Sequence, residues 1–397
     1  MTLAPVQSYM ADQRIDAWLV FDFRNNNPVL ARILGATLHL TRRVFWLLPA
    51  RGEPTLLCHF IDEASFKRAG VPYRTYGTWQ GMQETVRGLL APYRRVAMEY
   101  SPGGALPTAG VVDAGTIEFI RSAGVEVCSS ADLVQLYAAA WREKGLESHR
   151  VAIGHCDRIV QEAFSFLGQR LKAAGSATEL EIKQYILDQF KRSGITTDSG
   201  PIVAVNGNGA DCHYEPDEKV HAVIRPGDWV LIDLWAKQPG DATVYGDITW
   251  TGFCGTKVPD EHMKVFRTVL GARDAAVAAA QAAWQRSQAG GAPGEGWMLD
   301  DAARKVIIDA GYEKHIKHRT GHSLSPGTPG AHGIGMNLDN METHDTRRIM
   351  PGTGFTVEPG IYLDGKFGVR SEVNVYVDPQ KGPVVTGVIQ REPVLIG

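Results

Sequence analysis

The sequence predicts two domains, an α/β layer over residues 1–145 and a larger α+β domain over 146–397. Three observations lead there. The chain has 397 residues, beyond the size at which one hydrophobic core stops growing. Short apolar runs alternate with helix-like stretches in the first part. Composition then turns charged at Trp141-Arg-Glu-Lys-Gly-Leu-Glu147, and helices, strands, helices and strands follow in that order.

In the first part, strands are expected at Asp16–Phe21, Val44–Pro49, Thr55–Phe60 and Arg95–Glu99, with helices at Gln80–Tyr93 and Ala114–Ala123. No chemical cluster shows there, and His39 and His59 read as structural histidines. The second part opens on a long helical segment. Its next helix is announced by the capping box Thr178-Glu-Leu-Glu181, with Ile182, Ile186 and Phe190 at helical spacing until Gly194. Strands follow at Pro201–Val205, Trp229–Trp235 and Thr243–Gly252. Helices fit Asp260–Gln288 and Met298–Ala310, separated by the turn Ala289-Gly-Gly-Ala-Pro-Gly294. Final strands fit Gly354–Val357 and Arg370–Val377. The order suggests two similar halves, although no sequence repeat proves it.

Composition narrows the function classes. Hydrophobic residues at 44% suffice for sizeable cores, and a net charge of −3 without a run of Lys or Arg argues against nucleic acid or an anionic membrane as partner. Cys58, Cys128, Cys156, Cys212 and Cys254 are odd in number and form no CxxC, as expected of reduced thiols in a cytoplasmic protein. The start, Met1-Thr-Leu-Ala-Pro-Val-Gln, lacks a basic segment followed by an apolar one, and no stretch is long and apolar enough to span a bilayer.

Chemistry concentrates in the second part. Asp233, Asp247, His322, Glu358 and Glu372 occur within Val230-Leu-Ile-Asp233, Gly246-Asp-Ile-Thr249, His318-Arg-Thr-Gly-His322, Thr356-Val-Glu-Pro-Gly360 and Val369-Arg-Ser-Glu372. Taken singly, each has an ordinary reading: a cap, a turn, a surface charge, a hydrogen-bonded imidazole. Together, four carboxylates and one imidazole suit two hard divalent ions such as Mn²⁺, roughly 3.5–4 Å apart and sharing one activated water. Asp233 and Asp247 are expected on antiparallel strands joined by the hairpin Lys237-Gln-Pro-Gly-Asp241. The apolar run before Asp233 implies burial, and buried carboxylates need a partner. A hydrolase is the reading these residues support.

At these residues the chain resembles the pita-bread metallopeptidases: prolidases, aminopeptidase P and methionine aminopeptidases. The resemblance covers 146–397, and the first domain is similar to the smaller domain of prolidases, aminopeptidase P and creatinases. It implies two divalent ions, Mn²⁺ first, with Co²⁺ or Zn²⁺ as alternatives. Asp233 would bind one ion, His322 and Glu358 the other, with Asp247 and Glu372 bridging. A water acidified by both cations would attack the peptide carbonyl, with Glu358 as general base. By the same resemblance His213, in Asp211-Cys-His-Tyr214, would donate to the oxyanion, and His332, in His332-Gly-Ile-Gly335, would contact the substrate. His318 would lie near the pocket for the residue after the cut, and Arg370 would bind a terminal carboxylate or steady a bridging ligand. His344 carries no assigned role.

The pattern departs from the family in three places. Asp233 and Asp247 stand fourteen apart where the family usually has eleven. His322 and His332 stand ten apart where it usually has seven, with Pro326-Gly-Thr-Pro-Gly330 inserted, which makes His332 a competing ligand. Ser199 replaces a family tyrosine near the metals, and water or Asp198 would have to substitute. The resemblance implies an Xaa-Pro dipeptidase first and an aminopeptidase P acting on short peptides second. A ligand-free creatinase-like enzyme or a peptide-binding module is disfavoured by the full ligand set, and a methionine aminopeptidase by the extra domain. A homodimer is common in the family.

Overall fold

The computed structural model describes residues 3–35, 38–328 and 330–397. They form two compact units, Met1–Ala138 and Ala139–Gly397.

The first unit is built on one sheet of β1 (Ala17–Phe23), β2 (Arg43–Pro49), β3 (Thr55–His59), β4 (Arg74–Tyr76), β5 (Arg95–Met98) and β6 (Glu126–Ser129), ordered β4-β3-β2-β1-β5-β6. Strand β1 runs antiparallel to β2 and parallel to β5. Both its faces are buried, which is why Trp18-Leu-Val-Phe21 reads as a continuous apolar run. Helices α1 (Ala4–Asp12), α2 (Pro28–Leu34), α3 (Glu63–Ala69), α4 (Trp79–Leu90), α5 (Ala114–Arg121) and α6 (Ala131–Val134) complete the unit. Inside it, the buried Glu99 carboxylate accepts from Trp18 Nε1 at 2.8 Å, Asn27 Nδ2 at 2.7 Å and Ser130 Oγ at 2.8 Å. Two strands escape the sequence pattern: β4 is three residues long and mostly exposed, and β6 alternates too briefly to signal.

The second unit is built in two parts, each of helices packed on an antiparallel sheet. Its first half comprises α7 (Arg142–Ala174), β7 (Ala177–Thr178), α8 (Glu179–Arg192), β8 (Ile202–Val205), β9 (Val223–Ile224), β10 (Trp229–Ala236) and β11 (Gly246–Phe253). Strands β8, β10 and β11 form a sheet whose apolar face packs Val230, Ile232 and Ile248 against Ile159 of α7 and Ile182 and Ile186 of α8. The Thr178 capping box opens α8 as expected. At Gly246 an added Cβ would lie 2.6 Å from Ile153 N, so only glycine lets α7 approach β11 this closely.

The second half comprises α9 (Asp260–Gln288), α10 (Gly296–Asp309), β12 (Ser323–Leu324), β13 (Gly354–Val357), β14 (Gly360–Leu363), β15 (Phe367–Arg370), β16 (Val373–Asp378) and β17 (Gly382–Thr386), while β18 (Val394–Leu395) returns to pair with β11. The sheet β12-β13-β16-β17 packs Phe355, Val357 and Val375 against Val265, Val269 and Leu299. Polar stitches join the two sheets: Asp247 N donates to Asn374 Oδ1 at 3.0 Å, and Glu372 N to Thr249 O at 3.2 Å.

Two strand expectations need correction. Strand β11 begins at Gly246 rather than Thr243, because residues 237–245 loop away after the Ala236–Gly246 pair and Lys237 bridges to Thr196 instead. The link is thus longer than the five-residue hairpin expected. The stretch Arg370–Val377 is two strands, interrupted at Ser371 and Glu372, where the backbone leaves one pairing partner for another. Among the described residues no helix is long and apolar enough to cross a membrane.

Candidate metal centre

Strand register brings the first two acids together. Asp233 pairs with Thr249 and Trp235 with Asp247, so Asp233 and Asp247 are diagonal neighbours on one face of the sheet. Their neighbours Ile232, Leu234 and Ile248 point the other way, into the core. The acidic face lines a cavity of about 560 Å³, which His213, His318, His322, His332, Glu358, Arg370 and Glu372 also line. His344 is not among its lining residues; its Nδ1 bonds Asn340 Oδ1 at 2.8 Å. Pro329, within the insertion, lies outside the described residues.

His322 is placed by backbone geometry. Its N–H donates to Thr356 Oγ1 at 3.0 Å, and Thr356 N donates back to His322 O at 2.8 Å. A Cβ at residue 321 would sit 2.1 Å from Thr356 O, which accounts for the glycine in His-x-x-Gly-His. The ring's Nδ1 lies 3.1 Å from Ser323 O, so Nδ1 carries the proton and Nε2 offers its lone pair to the cavity. That Nε2 is 3.5 Å from Asp247 Oδ2 and 3.4 Å from Glu358 Oε1. Asp247, His322 and Glu372 each present a ligand atom, all within 4.8 Å of one another. His332 stacks on His322 with ring centroids 3.9 Å apart, and its proton affinity falls to about 4 through the charge of His322 and then burial.

The acids outnumber the positive charge beside them. Glu372 Oε2 accepts from Thr249 Oγ1 at 2.8 Å, but its Oε1 has no partner. Asp233 Oδ2 is held by Arg370 Nη2, while Oδ1 has none. Burial, then mutual repulsion, pushes Asp247 and Glu372 well above the usual carboxylate range. Burial also raises Asp233, with the Arg370 guanidinium pulling the other way. Glu358 differs. Burial opposes its charge, yet His322, His318, Arg370 and His332 hold it below its ordinary value. Orphaned anionic oxygens beside a neutral imidazole are a donor set that fits divalent cations.

Arg370 is taken up inside the cavity wall. Besides Asp233, it donates from Nε to Thr249 Oγ1 at 3.1 Å and from Nη1 to Tyr362 Oη at 2.9 Å. Tyr362 Oη lies 2.6 Å from His318 Nε2, and His318 Nδ1 is 2.6 Å from Arg319 O. With Nδ1 donating to that carbonyl, Tyr362 donates to His318 while accepting from Arg370. Burial raises the phenol, so it stays protonated at neutral pH. His213 is exposed at the rim, its backbone N–H 3.1 Å from Asp211 Oδ1. Asp198, beside Ser199 in the wall, accepts from Trp235 Nε1 at 2.7 Å.

Sequence reasoning missed Tyr362, Thr249 and Thr356. Thr249 had a signal, since strand alternation puts it on the face of Asp247. Thr356, two before Glu358, had the same signal; its hydroxyl donates to Glu358 Oε1 at 3.0 Å. Tyr362 lies in a wholly apolar strand and gave none.

Comparison with known proteins places these features. The model of metallopeptidase family M24 matches residues 147–379. A putative Xaa-Pro aminopeptidase of Mycoplasma pneumoniae is 30% identical over 271 residues, covering 67% of this chain and 68% of that protein. A probable dipeptidase PepE of Mycobacterium bovis is 24% identical over 383 residues, covering 92% and 89%. Among solved structures, dipeptidase PepE of Mycobacterium ulcerans superposes with a TM-score of 0.67 at 22% identity, over 99% of this chain and 96% of the other. The prolidase of Pyrococcus horikoshii OT3 gives 0.58 at 22% identity over 98% of each.

Proposed function

Because the chain belongs to metallopeptidase family M24, with the pita-bread fold of its prolidase and aminopeptidase P branch, we propose that it hydrolyses the peptide bond preceding proline in Xaa-Pro dipeptides. The observation that carries this reading is the buried trio Asp247, His322 and Glu372, with orphaned oxygens on Glu372 and on neighbouring Asp233. Asp233 would hold one ion, His322 and Glu358 the other, and Asp247 and Glu372 both. Bound divalent ions, Mn²⁺ first with Co²⁺ or Zn²⁺ as alternatives, supply Lewis acidity and a water ionisable near neutral pH. His322 rather than His332 is the ligand, because it alone of the two has its Nε2 within 3.5 Å of Asp247 and Glu358.

The remaining groups divide the work. Glu358 is held below its ordinary value by the histidines and Arg370 around it, and it is oriented by Thr356. It takes the proton from the attacking water and passes it to the departing proline nitrogen, which as a tertiary amide carries none of its own. His332, neutral at working pH and with Nδ1 facing Arg319, donates from Nε2 towards the substrate carbonyl, and His213 serves at the rim. Arg370 and Tyr362 steady Asp233 and His318.

Aminopeptidase activity on longer Xaa-Pro peptides is the second reading, favoured by the name of the Mycoplasma relative. A non-catalytic peptide-binding module is the third. Incubation with Mn²⁺ and matched Xaa-Pro and Xaa-Pro-Yaa substrates separates them: dipeptide preference is expected, tripeptide preference overturns it, and cleavage of neither leaves the module. A cytoplasmic location and a homodimer accompany the proposal, to be checked by fractionation and sedimentation.

A further inference from the structure

A dipeptidase must recognise the carboxylate that follows its proline, and the cavity offers three cations among its described lining residues: Lys317, Arg319 and Arg370. Arg370 is buried and shared among Asp233, Thr249 and Tyr362. Lys317 Nζ is paired with Asp364 and with Ala210 O at 2.8 Å. Arg319 is also ion-paired, and it reaches His332. Its Nη1 lies 3.2 Å from Glu342 Oε2, and its Nη2 lies 3.4 Å from His332 Nδ1.

That ion pair is open to water. The Glu342 side chain is 45% exposed and that of Arg319 21% exposed, so water screens the contact and it is worth little. The backbone beneath Glu342 is nevertheless fixed, because the buried Asp339 Oδ1 accepts from the N–H groups of Met341, Glu342 and Thr343. A rigid turn therefore presents one half-exposed carboxylate to a guanidinium inside the cavity, its Oε1 accepting from Arg319 N at 3.2 Å. Arg319 touches His332, which stacks on His322, so its guanidinium stands one imidazole away from the ligand cluster.

We propose that Arg319 receives the C-terminal carboxylate of the dipeptide, and that Glu342 is a stand-in which leaves when the substrate binds. The pair then sets the preference for dipeptides over longer peptides. This inference rests on the peptidase reading above.

The test uses the full chain loaded with Mn²⁺ and two substrates differing in one group, Ala-Pro and its C-terminal amide. Wild type is expected to prefer the acid. Arg319→Gln should raise KM for the acid by about ten- to a hundredfold, the range of a charged hydrogen bond, with kcat nearly kept and the amide unaffected. Glu342→Gln should lower KM for the acid alone, and it keeps the assignment testable should the arginine variant not fold. Equal losses on acid and amide, or no fall in KM for Glu342→Gln, overturn the role of Arg319 while the peptidase reading stands. Cleavage of neither substrate by wild type overturns both.

Discussion

Removing the metal should make the chain's stability fall with rising pH in a way that loaded protein does not. Asp247 and Glu372 have folded-state pKa values well above their ordinary range, through burial and repulsion. Without cations the folded chain keeps protons that the unfolded chain has released above about pH 4. The stability these groups contribute is therefore full below that pH and declines as pH rises towards their folded values. Each such proton changes the unfolding free energy by about 1.4 kcal/mol per pH unit. One group across pH 5 to 7 amounts to about 3 kcal/mol, and both groups to about twice that. Saturating cations replace the protons, so the stabilisation conferred by metal should grow by about 3 kcal/mol for each acid that holds its proton across that interval. At about 2–4 °C per kcal/mol for a unit of this size, the gap in Tm between Mn²⁺-loaded and chelator-treated protein should widen by about 6–12 °C. Calorimetry at pH 5, 6 and 7 reads it directly. Taking the difference cancels groups that stay the same in both forms, such as the buried His149, whose affinity falls to about 4. A gap in Tm that is the same at pH 5 and pH 7 would refute the claim that cations neutralise a proton-holding acid cluster.

Three further outcomes follow from the geometry. Tyr362→Phe strips the hydroxyl between Arg370 Nη1 and His318 Nε2, a loss of about 1.5–3 kcal/mol, so kcat/KM should drop about ten- to a hundredfold while metal content holds; a change under threefold would contradict the relay. Metal analysis of His322→Ala should show less bound ion than wild type and His332→Ala the wild-type amount, and wild-type content in His322→Ala would hand the ligand role to His332. Gly321→Ala puts a methyl 2.1 Å from Thr356 O, so stability should fall as for an overpacked core, by about 1–3 kcal/mol or more, and Tm with it; an unchanged Tm would show that this backbone can yield.

Much of the site was legible because local chemistry and order sufficed. The nine residues predicted for metal and substrate all line one cavity, and strand alternation at Asp233 and Asp247 already implied a shared face. Helix Asp260–Gln288 and strand Gly354–Val357 were readable to the residue, since clear periodicity and flanking turns bound them. What hid were features set by distant partners. The break at Ser371 and Glu372 arises because Arg370 pairs with Gly360 while Val373 pairs with Val357. The commitment of Arg370 to Asp233, 137 residues away, cannot be read from its two-residue spacing to Glu372. The same holds for the extra length before β11, where Lys237 turns to Thr196.

The two-part build of the larger unit has one more implication. Asp233 and Asp247 belong to the half built on α7 and α8, and His322, Glu358 and Glu372 to the half built on α9 and α10. Cations held by all five would act as rivets across the seam. Fluctuations that open either half would then have to break bonds contributed by the other, so a loaded centre would tie the two parts together.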